Sequence, residues 1–282
     1  MSQRRGFTLV EVLLALVIMG VVTGALYRLL NTNQRLALAQ AEQVSLQSNV
    51  RTGSLIVPSE LRELNTWQGG TVDRNDVSVA QPNNITYRAG RGMGFLCQGA
   101  AAGATQLILR QSNWTGVRPP DAVRDDLHIF IDGDPYDDND DGWSQLNLTG
   151  VAPGNACGGA LSWALAVPAI PAAVPANTPV RLYEVMQLQL YADAAGEWWL
   201  GAQSALDLAP VPVLGPLTAN GFQLQYLDST GVATADLTAI NSVRLTVRGL
   251  TDAPVRTGGQ APVARNQEAL VTQVLLRNSV RP

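Results

Sequence analysis

Lysine is absent from this 282-residue chain, and all 19 basic residues are arginine. That usage reads as genome composition bias rather than as a functional need for guanidinium groups. There is one histidine, His128, and there are two cysteines, Cys97 and Cys157. A multi-histidine metal centre and a four-cysteine zinc site therefore lack their ligands. With no Cys-x-x-Cys pair, a dithiol redox role is not expected. Aromatics make up 6% and charged residues 15%, the latter below the ~25% of an average soluble domain. The hydrophobic share is 46%, which excludes both a fully disordered chain and a many-span membrane protein. Formal charge is 19 − 23 = −4, a poor electrostatic footprint for nucleic acid. The 26 glycines and 16 prolines promise many turns but fall far short of a collagen-like chain.

What is present is one long apolar run near the start. No charge occurs from Val12 to Tyr27. Taken as helix, residues 7–30 would extend about 36 Å, enough to span a ~30 Å hydrocarbon core with some tilt. Arg4 and Arg5 precede the run, which predicts a cytoplasmic N-terminus and a remainder on the far side of the membrane. Glu11 stands inside it. A carboxylate there costs a few kcal/mol unless it finds a partner, so it marks a functional position.

The segment Gly6-Phe7-Thr8-Leu9-Val10-Glu11, behind a short basic leader and ahead of the apolar run, resembles the class III signal of type IV prepilins and type II secretion pseudopilins. The resemblance implies cleavage by a prepilin peptidase after Gly6 and methylation of the new amine on Phe7. It also implies that Glu11 of one subunit pairs with the Phe7 amine of a neighbour. Two groups that are costly to bury singly would then fix axial register in a filament. The implied fold is α+β, the type IV pilin fold, with a long bent N-terminal helix on a mostly antiparallel β-sheet domain. The implied organisation is a leader at 1–6, a transmembrane or filament-core helix at 7–30, its amphipathic continuation at 31–64, and a β-rich globular domain at 65–282. The implied partners are the peptidase, other pilins or pseudopilins, an inner-membrane assembly platform and the membrane itself. The chain would be a single-pass inner-membrane protein before assembly, with its globular domain periplasmic. Afterwards it would belong to a surface filament or periplasmic pseudopilus. No enzymatic activity and no certain cofactor is implied.

Beyond Leu30, Leu36, Ala39, Gln43, Leu46 and Val50 recur at helical spacing, so the helix is expected to continue to about residue 64. Gly53 and Pro58 are expected to kink or briefly break it. From Trp67 onward the pattern alternates with period two. Candidate strands are 85–89, 106–111, 127–132, 144–149, 161–167, 181–191, 197–202, 222–228, 242–250 and 270–278, with turns at Asp193–Gly196 and Asp228–Gly231. Strand follows strand, which predicts antiparallel pairing. The proline- and alanine-rich stretches 166–179 and 209–216 read as surface loops, and the glycine-rich stretch 90–103 reads as a turn. His128, in an alternating strand, reads as a structural or half-exposed histidine. The segments Phe222–Gly231, Ile240–Arg248 and Leu275–Asn278 resemble the larger minor pilins called PilW and the J-type pseudopilins. Such proteins act in adhesion, motility, secretion or DNA uptake during competence, and direct DNA contact is the least supported of these roles here.

Two features remain. Cys97 and Cys157 would face a compartment where disulfides persist, so a bridge is expected between them. The segment Asp132-Gly-Asp134-Pro-Tyr-Asp137-Asp138-Asn139-Asp140-Asp141-Gly142 fits the first half of a calcium loop through Asp137, Asn139 and Asp141. Leu148 stands where the loop's closing glutamate belongs, and Asp132 or Asp134 could supply the missing oxygens. The alternative is a solvated acidic loop. Residues 121–141 carry net −8 and residues 241–281 net +4, an asymmetry suited to contacts between neighbouring subunits. A different reading of the whole chain is a membrane-anchored, calcium-dependent ligand-binding or adhesive module. A tethered hydrolase lacks a visible catalytic set. A calcium-filled loop predicts that millimolar calcium raises the melting temperature, whereas a curve unmoved by the ion leaves the loop solvated.

Overall fold

The computed structural model describes residues 8–66, 75–133, 136–137, 141–255 and 263–277. One helix, α1 (Leu9–Arg62), precedes all strands. It starts at Thr8, whose hydroxyl accepts the Glu11 N–H at 3.3 Å while Glu11 Oε2 accepts the Thr8 N–H at 3.1 Å. This reciprocal pair satisfies donors that a helix start otherwise leaves open. The chain divides into two compact units. The first holds residues up to 48 together with 250–267. Within it the Ala253 N–H donates to Glu42 at 3.2 Å and the Asn266 amide to Gln43 at 3.3 Å, so a returning segment is tied to the helix. The second unit holds residues 49–249 and 268–282.

In the second unit the strands are β1 (Val77–Gln81), β2 (Asn84–Phe95), β3 (Gln106–Arg110), β4 (Asp126–Ile131), β5 (Gly142–Asn147), β6 (Gly150–Cys157), β7 (Ala160–Ala166), β8 (Pro179–Ala192), β9 (Trp198–Ser204), β10 (Val211–Leu227) and β11 (Ser242–Leu250). β12 (Gln267–Leu275) completes them. The large sheet runs β1-β2-β8-β9-β10-β11-β12, with β4 pairing both β5 and β8. A small sheet runs β3-β7-β6. The pairs of β1 with β2, β2 with β8, β4 with β8 and β8 with β9 are all antiparallel. The turn at Asp193 forms because its carboxylate Oδ1 accepts the Ala195 and Glu197 N–H groups, each at 2.9 Å.

From residue 49 the helix packs on the sheet along the stripe Val50, Val57 and Leu61, all buried. Gly53 belongs to the same stripe, and a Cβ there would collide with the Leu214 side chain and lie 3.5 Å from Val247 Cγ1. A second core joins the small sheet to the β4–β5–β8 region through Leu107, Leu109, Leu165, Leu127, Ile129 and Leu182. The Cys97–Cys157 disulfide ties the end of β2 to the end of β6.

Several sequence expectations change here. The helix is not broken at Gly53 or Pro58. Gly53 permits close approach rather than flexibility, and Pro58, lying in the helix's last turns, forfeits one backbone bond on a buried, well-packed face. Leu36 is exposed, and the buried stripe begins in earnest only at Leu46. The first part of the glycine-rich stretch 90–103 is strand rather than turn: Gly90, Gly92 and Gly94 extend β2 against β8, and the turn follows at 102–103. Glycine is needed because the Trp114 ring lies on Gly92, and a Cβ at Gly94 would sit 2.9 Å from Leu109 Cδ1. Stretch 209–216 is not a loop either, since β10 begins at Val211 and pairs with β9. Within 166–179, Ile170 and Val174 are buried; Val174 exchanges two 2.9 Å backbone hydrogen bonds with Ala100, which lets an irregular segment enter the core.

Two stability predictions arise. The disulfide closes a loop with a sequence separation of 60, which in the chain-entropy account stabilises by roughly 4 kcal/mol. The double variant Cys97→Ser/Cys157→Ser should lose most of that in denaturant unfolding, and a loss below about 1 kcal/mol would contradict the account. Gly92→Ala, forced against an aromatic ring and 2.7 Å from Gly116 Cα, should cost about 1–3 kcal/mol by the same measurement.

Candidate functional site

The first site is the start of α1. Every residue from Thr8 to Leu30 is exposed, and no part of the most apolar helical window is buried. Fifteen large apolar side chains between Leu9 and Leu30 face outward, among them Leu13, Leu16, Val17, Ile18 and Leu26. Moving them from water into an apolar environment would be favourable by on the order of 20 kcal/mol or more. Glu11 is the acidic residue of the first turn. Its Oε2 also lies 3.2 Å from the Thr8 hydroxyl, so its carboxylate is aimed at the helix start rather than outward along the apolar run. Gly6 and Phe7 fall outside the described residues.

The second site is a cleft of about 780 Å³ between the end of α1 and the β2–β4–β8 part of the sheet. Helical spacing presents Glu60 and Glu63 at its helix side. Glu63 accepts from Arg277 at 2.8 Å, and Glu60 from the Tyr87 hydroxyl at 3.4 Å. Burial, reinforced by the Glu60 carboxylate, pushes the Tyr87 hydroxyl well above its ordinary range. On the sheet side, strand register brings residues distant in sequence together. His128 lies opposite Arg181, and Asp126 opposite Tyr183. The His128 ring stacks 4.5 Å from the Tyr183 ring, Arg88 lies 5.6 Å over that ring, and Arg181 lies 4.4 Å over Trp143. Burial raises the Asp126 carboxyl above its usual range, against a hydrogen bond from the Leu148 backbone.

Beside the cleft a buried carboxylate, Glu184, gathers three arginines. Arg91 reaches it at 2.8 Å, Arg118 at 3.2 Å and Arg124 at 3.3 Å. Arg118 also grips Asp125 through two bonds of 2.7 and 2.6 Å. Burial by itself would raise the Glu184 carboxyl; the Ser204 hydrogen bond, Arg91 and Arg118 outweigh it and hold the group below the usual carboxylate range. The network pins the segment between β3 and β4 across the sheet.

The remaining sequence candidates separate. Cys97 and Cys157 are bonded to each other. Asp132 and Asp137 are exposed and Asp141 is half-buried, while Asp134 and Asn139 lie outside the described residues. Among the described residues no cluster of three or more His, Cys, Asp or Glu is arranged to hold a metal. His128 sits on β4 as a half-buried strand residue that lines the cleft. No sequence motif marks the cleft's Arg88, Arg181 and Tyr183 as site residues. The alternation of β8 puts Arg181 and Tyr183 on one face, but nothing in the sequence places β2 and β4 on either side of them.

A family model described as the prokaryotic N-terminal methylation motif matches residues 1–27. Searches of curated proteins and of solved structures each found no match. Followed by the long apolar helix, the motif supports a type IV pilin-like protein that is processed by prepilin peptidase and assembles with other pilins. It suggests a membrane-anchored, single-pass chain and indicates a structural role rather than an enzymatic one.

The Glu184 network yields a pH prediction. With its folded-state value below the ordinary one, the carboxylate contributes fully above the unfolded carboxylate range. That contribution is lost as pH falls through the lower, folded value. Glu184→Gln leaves three arginines short of one shared carboxylate and should cost about 2–3 kcal/mol at neutral pH. Its penalty should shrink as pH drops below about 4, measured by unfolding across pH. A constant penalty down to pH 2 would contradict this.

Proposed function

We propose that the chain is a minor pilin or pseudopilin. It is made as a prepilin, cut after Gly6, methylated on Phe7, held in the inner membrane by α1 and then built into, or beneath, a type IV pilus or related filament. The observation that carries this reading is the coincidence of the N-terminal methylation motif over residues 1–27 with a helix whose entire apolar half is uncovered. Such a surface requires hydrocarbon before assembly and sister helices after it. The size of the β domain supports a minor subunit, acting in initiation, tip formation or modulation of the fibre.

In this reading Glu11 has two successive partners. Before assembly its carboxylate caps its own helix through Thr8, which lowers the cost of a charge near hydrocarbon. In the filament it turns to the methylated Phe7 amine of a neighbour, a cation that is expensive to bury alone. The returning segment 250–267, tied to Glu42 and Gln43, steadies the helix just beyond the membrane-spanning part.

Mass spectrometry of the mature chain tests processing. Gly6→Ala should leave the leader attached; a mature chain beginning at Phe7 regardless would overturn the assignment. Glu11→Ala should still be cut, yet its incorporation into sheared filaments should fall at least tenfold. Wild-type incorporation would remove the amine pairing.

A further inference from the structure

The groups that line the cleft are not equally engaged. On the helix side Glu63 is paired with Arg277, Glu60 receives the Tyr87 hydroxyl, and Asp76 Oδ2 accepts the Asn65 N–H at 2.8 Å. On the sheet side two strong donors have no acceptor among the described residues. The Tyr183 side chain is 5% exposed, and its hydroxyl oxygen is buried without a hydrogen-bond partner. The Gln145 side chain is placed to donate toward the hydroxyl oxygen rather than to accept its proton, so the hydroxyl's own proton is left without an acceptor. Arg181 is exposed, its guanidinium carbon lies 4.4 Å from the centroid of the Trp143 ring, and a contact with a ring face leaves guanidinium N–H groups available to an acceptor. A buried donor left unmet costs about 1–3 kcal/mol, so a persistent one marks a place where something else supplies the acceptor.

Geometry around these donors is open. Gly90 lies opposite Tyr183 on β2, and a Cβ built there would meet nothing within 4 Å. Arg88, whose Nη1 lies 3.4 Å from His128 Nε2, adds positive charge beside them. A ligand that satisfies this corner offers an oxygen acceptor to the Tyr183 hydroxyl and a planar anionic edge to Arg181. A carboxylate does both. The half-buried Asp126, opposite Tyr183, disfavours a doubly charged phosphate by repulsion. The volume, about 780 Å³, suits a small organic acid or a few peptide residues.

We propose that this corner of the cleft, formed by Tyr183, Arg181, His128 and the open floor at Gly90, binds a carboxylate ligand. The carboxylate belongs either to a free organic acid or to an acidic side chain of a peptide segment. The site is independent of the N-terminal processing chemistry and would stand whether or not the chain enters a filament.

Calorimetry on the full chain in nonionic detergent, at fixed ionic strength, tests it with three probes: succinate, an oligoglutamate peptide and inorganic phosphate. Saturable binding of a carboxylate probe is expected, with phosphate weaker. Binding of the peptide alone identifies a peptide source, and binding of succinate identifies a free acid. Tyr183→Phe keeps the ring stack and should weaken binding about tenfold without lowering the melting temperature. Arg181→Gln should weaken it at least tenfold. Gly90→Val fills the open floor and should abolish binding in a folded protein, with an unchanged thermal transition reporting that fold. The proposal is overturned by no saturable binding of either carboxylate, by phosphate binding more tightly than both, or by affinities unchanged in the variants. A several-degree loss of melting temperature in Tyr183→Phe would also overturn it, because the hydroxyl would then already be satisfied within the fold.

Discussion

An uncovered apolar helix surface constrains everything else about this protein. From Thr8 to Leu30 no described side chain covers the helix, and moving that surface from water into an apolar environment is favourable by on the order of 20 kcal/mol or more. The chain is therefore incomplete as an isolated solute. A bilayer, or a bundle of like helices in the proposed filament, would cover that surface, and either environment favours a partner for the one carboxylate in the segment. The Thr8–Glu11 capping pair meets that demand within the chain itself.

Beyond the spanning part, the same helix changes its packing. Its stripe at Val50, Gly53, Val57 and Leu61 is buried on the sheet, and Gly53 lets the backbone approach Leu214 where any side chain would intervene. A proline at position 58 is tolerated because the helix there is held by tertiary contact, not by its own ladder alone. Helix and sheet are joined by burial, whereas the two sheets are joined by a second core and by a covalent bond between Cys97 and Cys157.

Charge is handled differently inside the β domain and at its cleft. Glu184 is buried and surrounded by three arginines, so its role is to fix a long connection that has no regular structure of its own. At the cleft the aromatic rings of Tyr183 and Trp143 hold Arg88 and Arg181 in place. Arg88 also engages His128 through Nη1 at 3.4 Å, so the two guanidinium groups are not equally committed.

Much of the architecture was legible in the residues. The apolar run with its glutamate, the helix continuing through Val50 and Leu61, and the alternating strands each follow from local periodicity, because a helix or strand buries one face at a fixed spacing. Where the reading failed, a distant residue had overruled local preference. Gly92 and Gly94 look like turn residues until Trp114 and Leu109 are found in the space their side chains would need, and the stretch from Val211 looks like a loop until β9 pairs with it. The N-terminal methylation motif, and the processing site proposed from it, belong to the sequence alone, since a peptidase reads consecutive residues. The cleft was decided only by tertiary structure. His128 meets Arg181, and Gly90 meets Tyr183, through strand register across β4, β8 and β2, and no linear pattern encodes which strands become neighbours.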